Sequence, residues 1–433
     1  MSYLSLYLHI PFCVKKCHYC DFLSAPCKEE TRQEYVEALC MEIAQRAKLY
    51  KEKKVDTIFF GGGTPSLLSA EQMDKIMRTV RQEFQVLPEA EISMEVNPGT
   101  VSLEKLEAYK ECGINRLSIG LQSANNEELK VLGRIHTWEV FENTWRQVRE
   151  LGFSNVNIDL MSALPGQTLE SYENTLRKVL ALKPEHISAY SLIIEEGTKF
   201  YEWYGEELPW TGGESAELNL EDMETYFRTQ KLPDEITDRR MYEITRTLLE
   251  EHGYYRYEIS NYALKGYECK HNVGYWKRKE YLGLGLGAAS LLANVRSNNV
   301  SELAEYLNLG QKIKEKIDNK TVNLVEKKIL EQQIENNKNI EIGKNINWSE
   351  SIEELSLKDQ MEEFMFLGLR MMEGVSAQEF EQQFGKSLQE VYGTQIAKLE
   401  KQGLLQYYQE TARYALTLQG IDVSNQVFVE FVD

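Results

Sequence analysis

The sequence carries much less positive charge than negative charge, with 49 lysines and arginines against 68 aspartates and glutamates and a formal net charge of −19. An acidic surface repels phosphate backbones and anionic lipid headgroups, so we expect neither nucleic acid nor a membrane surface as a partner. Long apolar runs are also missing. The best candidate, "LGLGLGAASLLANV", is short and is interrupted by Gly283, Gly285 and Gly287, so we predict no transmembrane segment.

Two further absences bear on the cellular compartment. The first residues, "MSYLSLYLHIPF", contain no basic region and alternate as a strand does, so no signal peptide is predicted. Seven cysteines in 433 residues are too few and too scattered for the disulfide framework of a small secreted protein. We therefore expect a cytoplasmic protein with reduced thiols, in which Cys40 and Cys112 are ordinary buried residues. The sequence does not fix the oligomeric state, and a homodimer is one possibility.

Strand-like and helix-like segments alternate through the first half of the chain. Candidate strands lie at 4–10, 55–60, 91–96, 115–120, 155–160 and 186–192. Helical periodicity occurs between most of them, at 31–49, 69–84, 102–112 and 138–151. This alternation predicts parallel strands joined by right-handed crossovers. Because a closed barrel needs eight such units, the pattern predicts an α/β fold with a curved, partial (β/α)6 barrel.

The remainder of the chain divides by composition. The predicted domains are a barrel core at 1–200, a barrel extension with an acidic insertion at 201–300, a charged connector at 301–356 and a C-terminal domain at 357–433. Glycine and proline punctuate the acidic stretch within 201–240, which predicts a surface excursion. Lysine, asparagine and glutamate dominate 311–350, which predicts a solvated helical connector. The last domain combines short helices with a hairpin-like segment, so a small winged-helix-like α+β domain is expected.

Three cysteines, Cys13, Cys17 and Cys20, follow the first strand with the spacing C-x3-C-x2-C. A structural zinc site needs four ligands, usually supplied as two pairs, and no second pair is present. Three thiolates can instead hold three irons of a 4Fe-4S cluster and leave the fourth iron free to bind an external ligand. The alternatives are a zinc site completed by Cys27 or His18, or three cysteines packed in the core.

Glycines and polar residues follow the predicted strands, at the edge where ligands gather in parallel sheets. Gly61, Gly62 and Gly63 end the second strand, where they allow backbone to approach a ligand closely; a tight turn is the alternative. Arg134 offers a guanidinium that can pair with a ligand carboxylate, unless it forms an ordinary surface salt bridge. Polar side chains close the later strands at Glu95, Asn97, Gln122 and Asp159. For Asn97, which precedes a proline, a turn residue is the alternative.

The segment "CVKKCHYC" after a first strand resembles the signature of the radical SAM superfamily, whose open iron binds the amine and carboxylate of S-adenosylmethionine. Within that superfamily the chain resembles the branch that contains oxygen-independent coproporphyrinogen III dehydrogenase and a family of heme chaperones. The resemblance covers 1–200, 254–296 and 359–433. It implies that Cys13, Cys17 and Cys20 bind a 4Fe-4S cluster. The implied S-adenosylmethionine contacts are Tyr7, Tyr19, Gly62, Gly63, Thr64, Glu95, Gln122, Arg134 and Asp159.

Two features separate the members of this branch. The dehydrogenase has a further cysteine where this chain has Phe22, and the segment "HNVGYW" resembles a heme-binding motif of the chaperones. The motif implies a heme-binding role for His271, Asn272, Tyr275 and Trp276. An imidazole is a common axial ligand of heme iron, and Cys269 is a second possible ligand.

Aromatic side chains and positive charge near the motif suit a porphyrin with two propionates. The charge comes from Lys270, Lys277, Arg278 and Lys279. The alternative is that His271 is a hydrogen-bonded structural residue and that the aromatic side chains pack in the core.

The resulting prediction is a heme chaperone that binds a 4Fe-4S cluster, S-adenosylmethionine and heme, and that transfers heme to apo-hemoproteins. A second hypothesis is an oxygen-independent coproporphyrinogen III dehydrogenase, which oxidatively decarboxylates its substrate. A third is a radical SAM enzyme with a different substrate. The sequence leaves open whether S-adenosylmethionine is cleaved, and therefore whether the protein is an enzyme.

Overall fold

The structure, a computed structural model, describes residues 3–205, 229–318 and 348–432. The six predicted strands are present as β1 (Tyr3–Ile10), β2 (Lys54–Gly62), β3 (Gln85–Val96), β4 (Arg116–Gln122), β5 (Val156–Ser162) and β6 (His186–Ser191). They pair in chain order, and every pair is parallel. The predicted α/β fold with a partial (β/α)6 barrel is therefore confirmed.

Helices follow the strands and cover the outside of the sheet. They are α1 (Glu29–Arg46), α2 (Ala70–Glu83), α3 (Leu103–Glu111), α4 (Asn126–Val131), α5 (Trp138–Glu150), α6 (Leu169–Leu182) and α7 (Lys199–Tyr204). Polar residues fix their starts: Ser69 and Gln72, for example, form a reciprocal capping box at the first turn of α2. Cys40 and Cys112 are buried, as expected from the sequence.

The sheet continues past the six barrel strands on both edges. The added elements are α8 (Glu235–Glu251), β7 (Tyr255–Arg256), β8 (Asn261–Ala263), α9 (Lys270–Trp276), β9 (Tyr281–Leu284), β10 (Ala289–Leu292), β11 (Val295–Asn299), α10 (Leu303–Asp318) and β12 (Ser349–Glu354). Strand β9 pairs with β1 and β8 pairs with β6, so neither edge of the barrel is left open. Helix α9 carries the histidine–tryptophan motif and is called the motif helix below.

The C-terminal part of the chain has a hydrophobic core of its own, built around residues such as Met365, Phe380 and Ile396. Its elements are α11 (Leu357–Gly368), β13 (Val375–Ser376), α12 (Ala377–Phe384), α13 (Leu388–Lys401), β14 (Leu405–Tyr408), β15 (Arg413–Leu416), α14 (Leu418–Asp422) and α15 (Ser424–Val429). The predicted hairpin is β14–β15, and β13 adds a third antiparallel strand. This arrangement agrees with the predicted winged-helix-like α+β domain.

Two of the predicted segments cannot be compared with the structure. Most of the acidic insertion (206–228) and most of the charged connector (319–347) lie outside the described residues, and the domain boundaries stay predictions. Over the three described ranges, no helix is long and apolar enough to cross a bilayer.

Candidate functional site

A cavity of about 340 Å³ opens at the carboxyl ends of the barrel strands, the edge at which ligands bind in parallel sheets. Its volume lies in the range of small-molecule sites, about 300–1,000 Å³. The wall contains most of the residues singled out from the sequence, namely Cys13, Cys17, Tyr19, Cys20, Gly62, Gly63, Thr64, Glu95, Gln122, Arg134, Asp159 and Asn272. Phe22 also lines it.

The three cysteines of the loop after β1 are free thiols that border this one space. Burial raises the pKa of Cys20 to about 11, which disfavours its thiolate unless a positive group compensates. Hydrogen-bond donors face the other two sulfurs: Thr64 Oγ1 donates to Cys13 Sγ at 3.4 Å and Arg134 Nη1 donates to Cys17 Sγ at 3.7 Å. A donor set of this kind fits a thiolate-ligated iron cluster. In the described part of the chain, no three Cys, His, Asp or Glu side chains are placed to hold a single metal ion.

Arg134 lies in the cavity wall and forms no salt bridge with any residue that the structure describes. Its Nη2 donates to Asn97 Oδ1 at 2.8 Å, and Asn97 Nδ2 donates to Thr64 Oγ1 at 2.8 Å. Arg134 Nε is buried and has no hydrogen-bond partner among the described residues. A buried donor without a partner is rare and leaves a place for a ligand acceptor. Asn97 therefore belongs to the site wall and is more than a turn residue.

The glycines after β2 allow the cysteine loop to pack directly on the strand end. A Cβ atom at Gly63 would lie 2.7 Å from the Phe12 carbonyl oxygen, and Gly62 has a φ of +112°. The Gly62 N–H donates to Glu95 Oε2 at 3.1 Å, so the backbone here also orients a site carboxyl. Tyr7 is not part of the cavity wall: its hydroxyl lies 3.0 Å from His9 Nδ1.

Two buried carboxyl groups lie on the cavity wall, and both hold their protons more tightly than usual. Burial, together with the charge of Asp159, raises the pKa of Glu95 to about 8, against the opposing effect of the Gly62 N–H. Burial also raises the pKa of Asp159, although hydrogen bonds from Asn157 (2.7 Å) and Ser118 (3.2 Å) oppose the shift. Carboxyls with raised pKa values are poised to ionise when a cation or a strong donor arrives.

Further wall residues were not recognised from the sequence. They include Arg116, Ser118 and Gly120 of β4, Asn157 of β5, and Ser188 and Tyr190 of β6. The signal that would have found them is alternation: every second residue of a strand faces the same side, and these positions interrupt otherwise apolar strands.

The histidine of the motif helix is buried against β2. Its Nδ1 lies 2.8 Å from Thr57 Oγ1, its Nε2 lies 2.9 Å from the Tyr275 hydroxyl, and its ring stacks on Phe59. Burial and the charge of Arg116 lower the pKa of His271 to about 3, so the imidazole is neutral at physiological pH. Both ring nitrogens are occupied in this conformation, which is the arrangement of a hydrogen-bonded structural histidine.

The other motif residues point in different directions. Asn272 faces the cavity, whereas the Trp276 ring lies 4.4 Å from the guanidinium carbon of Arg370. Cys269 is buried and its thiol donates to Glu91 Oε1 at 3.5 Å. The same Glu91 side chain accepts hydrogen bonds from the Lys270 and His271 backbone N–H groups, at 3.0 and 3.2 Å. A buried carboxylate thus holds the first turn of the helix against β3.

The outer face of the motif helix borders a second, larger space of about 790 Å³, called the groove below. The groove lies beside the amino ends of the barrel strands and extends to the C-terminal domain. Its lining is Tyr3, Asp56, Leu87, Glu89, Tyr255, Arg256, Tyr257, Glu268, Lys270, Val273, Lys277, Lys279, Met371, Met372 and Glu373. The motif helix is therefore a wall shared by two spaces.

The basic residues around the motif have separate roles in the structure. Arg278 pairs with the buried Glu363 at 2.7 Å, and Lys277 pairs with Glu373 at 2.7 Å. Lys270 and Lys279 line the groove, and their ammonium groups make no ion pair within the described ranges. Arg256, which also lines the groove, donates to the Tyr242 hydroxyl and makes no ion pair with a described residue. Lys270 and Lys279 are therefore the lysines of the lining that can meet an anionic ligand there.

The chain matches two known protein families. Residues 7–179 match the radical SAM superfamily and residues 355–423 match the HemN C-terminal domain. With the cysteine loop at the mouth of a partial barrel, these matches define a radical SAM protein, a class whose cofactors are a 4Fe-4S cluster and S-adenosylmethionine.

Curated relatives narrow the class. The heme chaperone HemW of Lactococcus lactis is 34% identical over 99% of this chain and 97% of its own length. HemW of Bacillus subtilis is also 34% identical, over 99% of each chain. HemW of Escherichia coli is 40% identical over 66% of this chain and 69% of its own length. The chain belongs to the HemW family of heme chaperones.

A solved structure shares the whole fold. Coproporphyrinogen III oxidase (HemN) from Escherichia coli, described as a radical SAM enzyme, superimposes with a TM-score of 0.74 at 24% sequence identity. The match covers 99% of this chain and 90% of that one. This likeness concerns the fold, including the C-terminal domain.

Proposed function

We propose that this protein is a heme chaperone that holds a 4Fe-4S cluster and S-adenosylmethionine in the barrel, binds heme beside the motif helix and passes it to apo-hemoproteins. The observation that carries the proposal is the groove of about 790 Å³, which has the motif helix as one wall and two unpaired lysines on its lining. The coproporphyrinogen dehydrogenase hypothesis has less support, because Phe22, not a further cysteine, stands on the barrel cavity wall.

In this proposal Cys13, Cys17 and Cys20 hold the cluster. In the radical SAM superfamily, the reduced cluster supplies the electron for cleavage of S-adenosylmethionine. The neighbouring donors, Thr64 and Arg134, stabilise the negative charge of the sulfurs.

The remaining wall residues bind and orient S-adenosylmethionine. Glu95 and Asp159 accept hydrogen bonds from its donors, and Arg134 Nε meets an acceptor. The proposed S-adenosylmethionine contacts are Tyr7, Tyr19, Gly62, Gly63, Thr64, Glu95, Gln122, Arg134 and Asp159. Tyr7 stands outside the cavity wall, and its hydroxyl lies 3.0 Å from His9 Nδ1.

Heme suits the groove chemically. Val273, Met371 and the tyrosines offer apolar and aromatic surface for the macrocycle. Lys270 and Lys279 would bind propionates, each charge-assisted hydrogen bond contributing about 1.5–3 kcal/mol. Asp56 and Glu89 lie on the strand side of the groove, where they repel propionates and so direct them toward the helix side.

None of the four motif residues His271, Asn272, Tyr275 and Trp276 is part of the groove lining in this conformation. We further propose that they take part in heme binding once the motif helix shifts, with His271 as the iron ligand. A neutral imidazole is competent for this role at physiological pH. Ligation requires the motif helix to shift so that Nε2 leaves the Tyr275 hydroxyl, and the lost hydrogen bond costs about 1 kcal/mol. Cys269 is less accessible, because its thiol is fully buried against Glu91.

Hemin titration of the purified protein tests the heme proposal. We expect a Soret band that saturates with hemin, and loss of that hemin to an added apo-hemoprotein such as apomyoglobin. Replacement of both Lys270 and Lys279 by methionine should weaken binding at least tenfold, because two propionate contacts are lost. A wild-type protein that gives no saturable Soret change would refute the proposal.

Two variants then define the role of His271. We expect His271→Ala to weaken hemin binding and to change the Soret maximum. Tyr275→Phe should bind hemin at least as tightly as the wild type, because Nε2 no longer has to leave a hydrogen bond. Equal losses in both variants, with an unchanged Soret maximum, would mean that the His271–Tyr275 pair only holds the helix in place.

The raised pKa of Glu95 predicts a pH dependence for S-adenosylmethionine binding. Below about pH 8 the free protein carries a proton on Glu95, and the protonated carboxyl is the weaker acceptor. Binding should therefore release a proton and tighten by on the order of tenfold between pH 6.5 and pH 8. Isothermal titration in buffers of different ionisation enthalpy measures both effects. Glu95→Gln should remove the proton release and flatten the profile.

A further inference from the structure

Arg116 is the most unusual side chain of the barrel interior. It stands at the first position of β4, is 2% exposed and lines the cavity. Its Nε is buried without a hydrogen-bond partner, and the guanidinium forms neither a hydrogen bond nor an ion pair with any residue in the described ranges. A buried guanidinium presents five donors, and leaving them unsatisfied is costly.

The carboxylates closest to Arg116 are already engaged elsewhere. Glu91 and Asp159 contribute favourable charge to it, but Glu91 accepts from the first turn of the motif helix and Asp159 accepts from Asn157 and Ser118. The other titratable groups close enough to interact with its charge are the thiol of Cys269, the hydroxyl of Tyr257 and the imidazoles of His186 and His271. None of these groups accepts a hydrogen bond from the guanidinium.

Asn272 of the motif helix lines the same cavity, and its side-chain amide also makes no hydrogen bond with described residues. Other amides of this region are already bonded, since Asn157 binds Asp159 and His186 and Asn261 binds Ser188 and Glu258. Arg116 and Asn272 thus supply unused donors to one end of the cavity.

We propose that Arg116 and Asn272 form a binding site for a carboxylate at the inner end of the barrel cavity. The planar guanidinium matches the two oxygens of a carboxylate, and the Asn272 amide adds a third donor. The nearby Glu91 and Asp159 favour a singly charged anion over a phosphate dianion. The site requires no heme, and Arg116, its main donor, has no part in the chaperone proposal; Asn272 belongs to both.

Strand register places this site deeper than the other ligand-binding candidates. Arg116 pairs with Ser93, whereas Glu95 pairs with Ser118. Arg116 is therefore two residues, or about 7 Å, further from the carboxyl ends of the strands than the Glu95 level. The carboxylate belongs either to S-adenosylmethionine itself or to a second, small ligand beneath it, and the two sources are separable by experiment.

Propionate, with neutral propionamide as its matched control, tests the site on anaerobically reconstituted protein. We expect propionate, and not propionamide, to raise the melting temperature of the wild type, since a ligand that binds only the native state stabilises it. Arg116→Gln should abolish the shift, whereas Arg116→Lys, which keeps the charge, should retain part of it. Asn272→Leu should reduce it and serves as a second variant should Arg116→Gln fail to fold.

Labelled S-adenosylmethionine in equilibrium dialysis then identifies the source. A propionate shift that persists at saturating S-adenosylmethionine assigns the site to a second ligand. A shift that vanishes, with at least tenfold weaker S-adenosylmethionine binding in Arg116→Gln, assigns it to the cofactor's own carboxylate. Arg116→Gln with wild-type values in both measurements would overturn the proposal. Hemin titration of the same samples reports on the chaperone proposal separately.

Discussion

Replacement of Cys17 by alanine is expected to abolish the iron–sulfur cluster. Anaerobic reconstitution of the wild type should yield about four irons and four acid-labile sulfides per chain. The variant should yield close to none, because two thiolates do not hold a cubane on a solvent-accessible loop. Arg134 would also lose the sulfur that its Nη1 contacts. Iron and sulfide analysis with visible absorption spectroscopy measures the result.

Cys40→Ala is the matched control for this experiment. Cys40 is a buried thiol of α1 in the main core and does not line the cavity, so the variant should bind the full complement of iron and sulfide. Full iron and sulfide in Cys17→Ala would contradict the assignment of the ligands. If the wild type instead contained zinc and no sulfide, the proposal of an iron–sulfur cluster would be refuted.

The second large effect is expected from Glu91→Ala. The Glu91 carboxylate is buried and accepts two backbone N–H groups and one thiol at the start of the motif helix. Its removal leaves these donors without an acceptor and takes a negative charge from a helix N-terminus. We expect the free energy of unfolding in urea to fall by about 3 kcal/mol. Hemin binding should weaken in parallel, since the helix loses its anchor on β3.

Glu89→Ala provides the comparison on the same strand. Glu89 is exposed and its side chain forms no hydrogen bond with described residues, so its removal should change the free energy of unfolding by less than about 0.5 kcal/mol. Glu91→Gln keeps an acceptor oxygen and should recover part of the stability. If Glu91→Ala and Glu89→Ala were equally stable, the capping role of Glu91 would be wrong.

Local sequence patterns were sufficient to predict the barrel. Each of the six barrel strands is apolar and β-rich, and the intervening helices show amphipathic periodicity, both of which depend only on neighbouring residues. Residues placed at strand ends, such as Glu95 and Asp159, lie on the cavity wall because parallel strands all end at one edge. The extra strands β7 to β12 were not predicted individually, because they are short and take their pairing from the edges of the existing sheet.

Side-chain positions that depend on contacts between distant parts of the chain could not be predicted from the sequence. His271 meets Thr57, which is 214 residues away in the chain, and nothing local shows that both of its nitrogens are occupied. The sequence also contains no sign that the Tyr7 hydroxyl is hydrogen-bonded to His9. Arg116 looks like an ordinary charged residue at the start of a strand, and its burial without a partner emerges only from the assembled barrel.

The motif helix, Lys270–Trp276, has 7 residues, or about two turns, and borders both the barrel cavity and the groove. Asn272 contacts one space, while Lys270 and Val273 contact the other. A ligand that displaces this helix changes the free energy on both sides. If S-adenosylmethionine binds in the cavity and heme in the groove, as proposed, thermodynamic reciprocity requires that each ligand changes the affinity for the other by the same factor. The affinity for heme would then depend on whether S-adenosylmethionine occupies the barrel cavity.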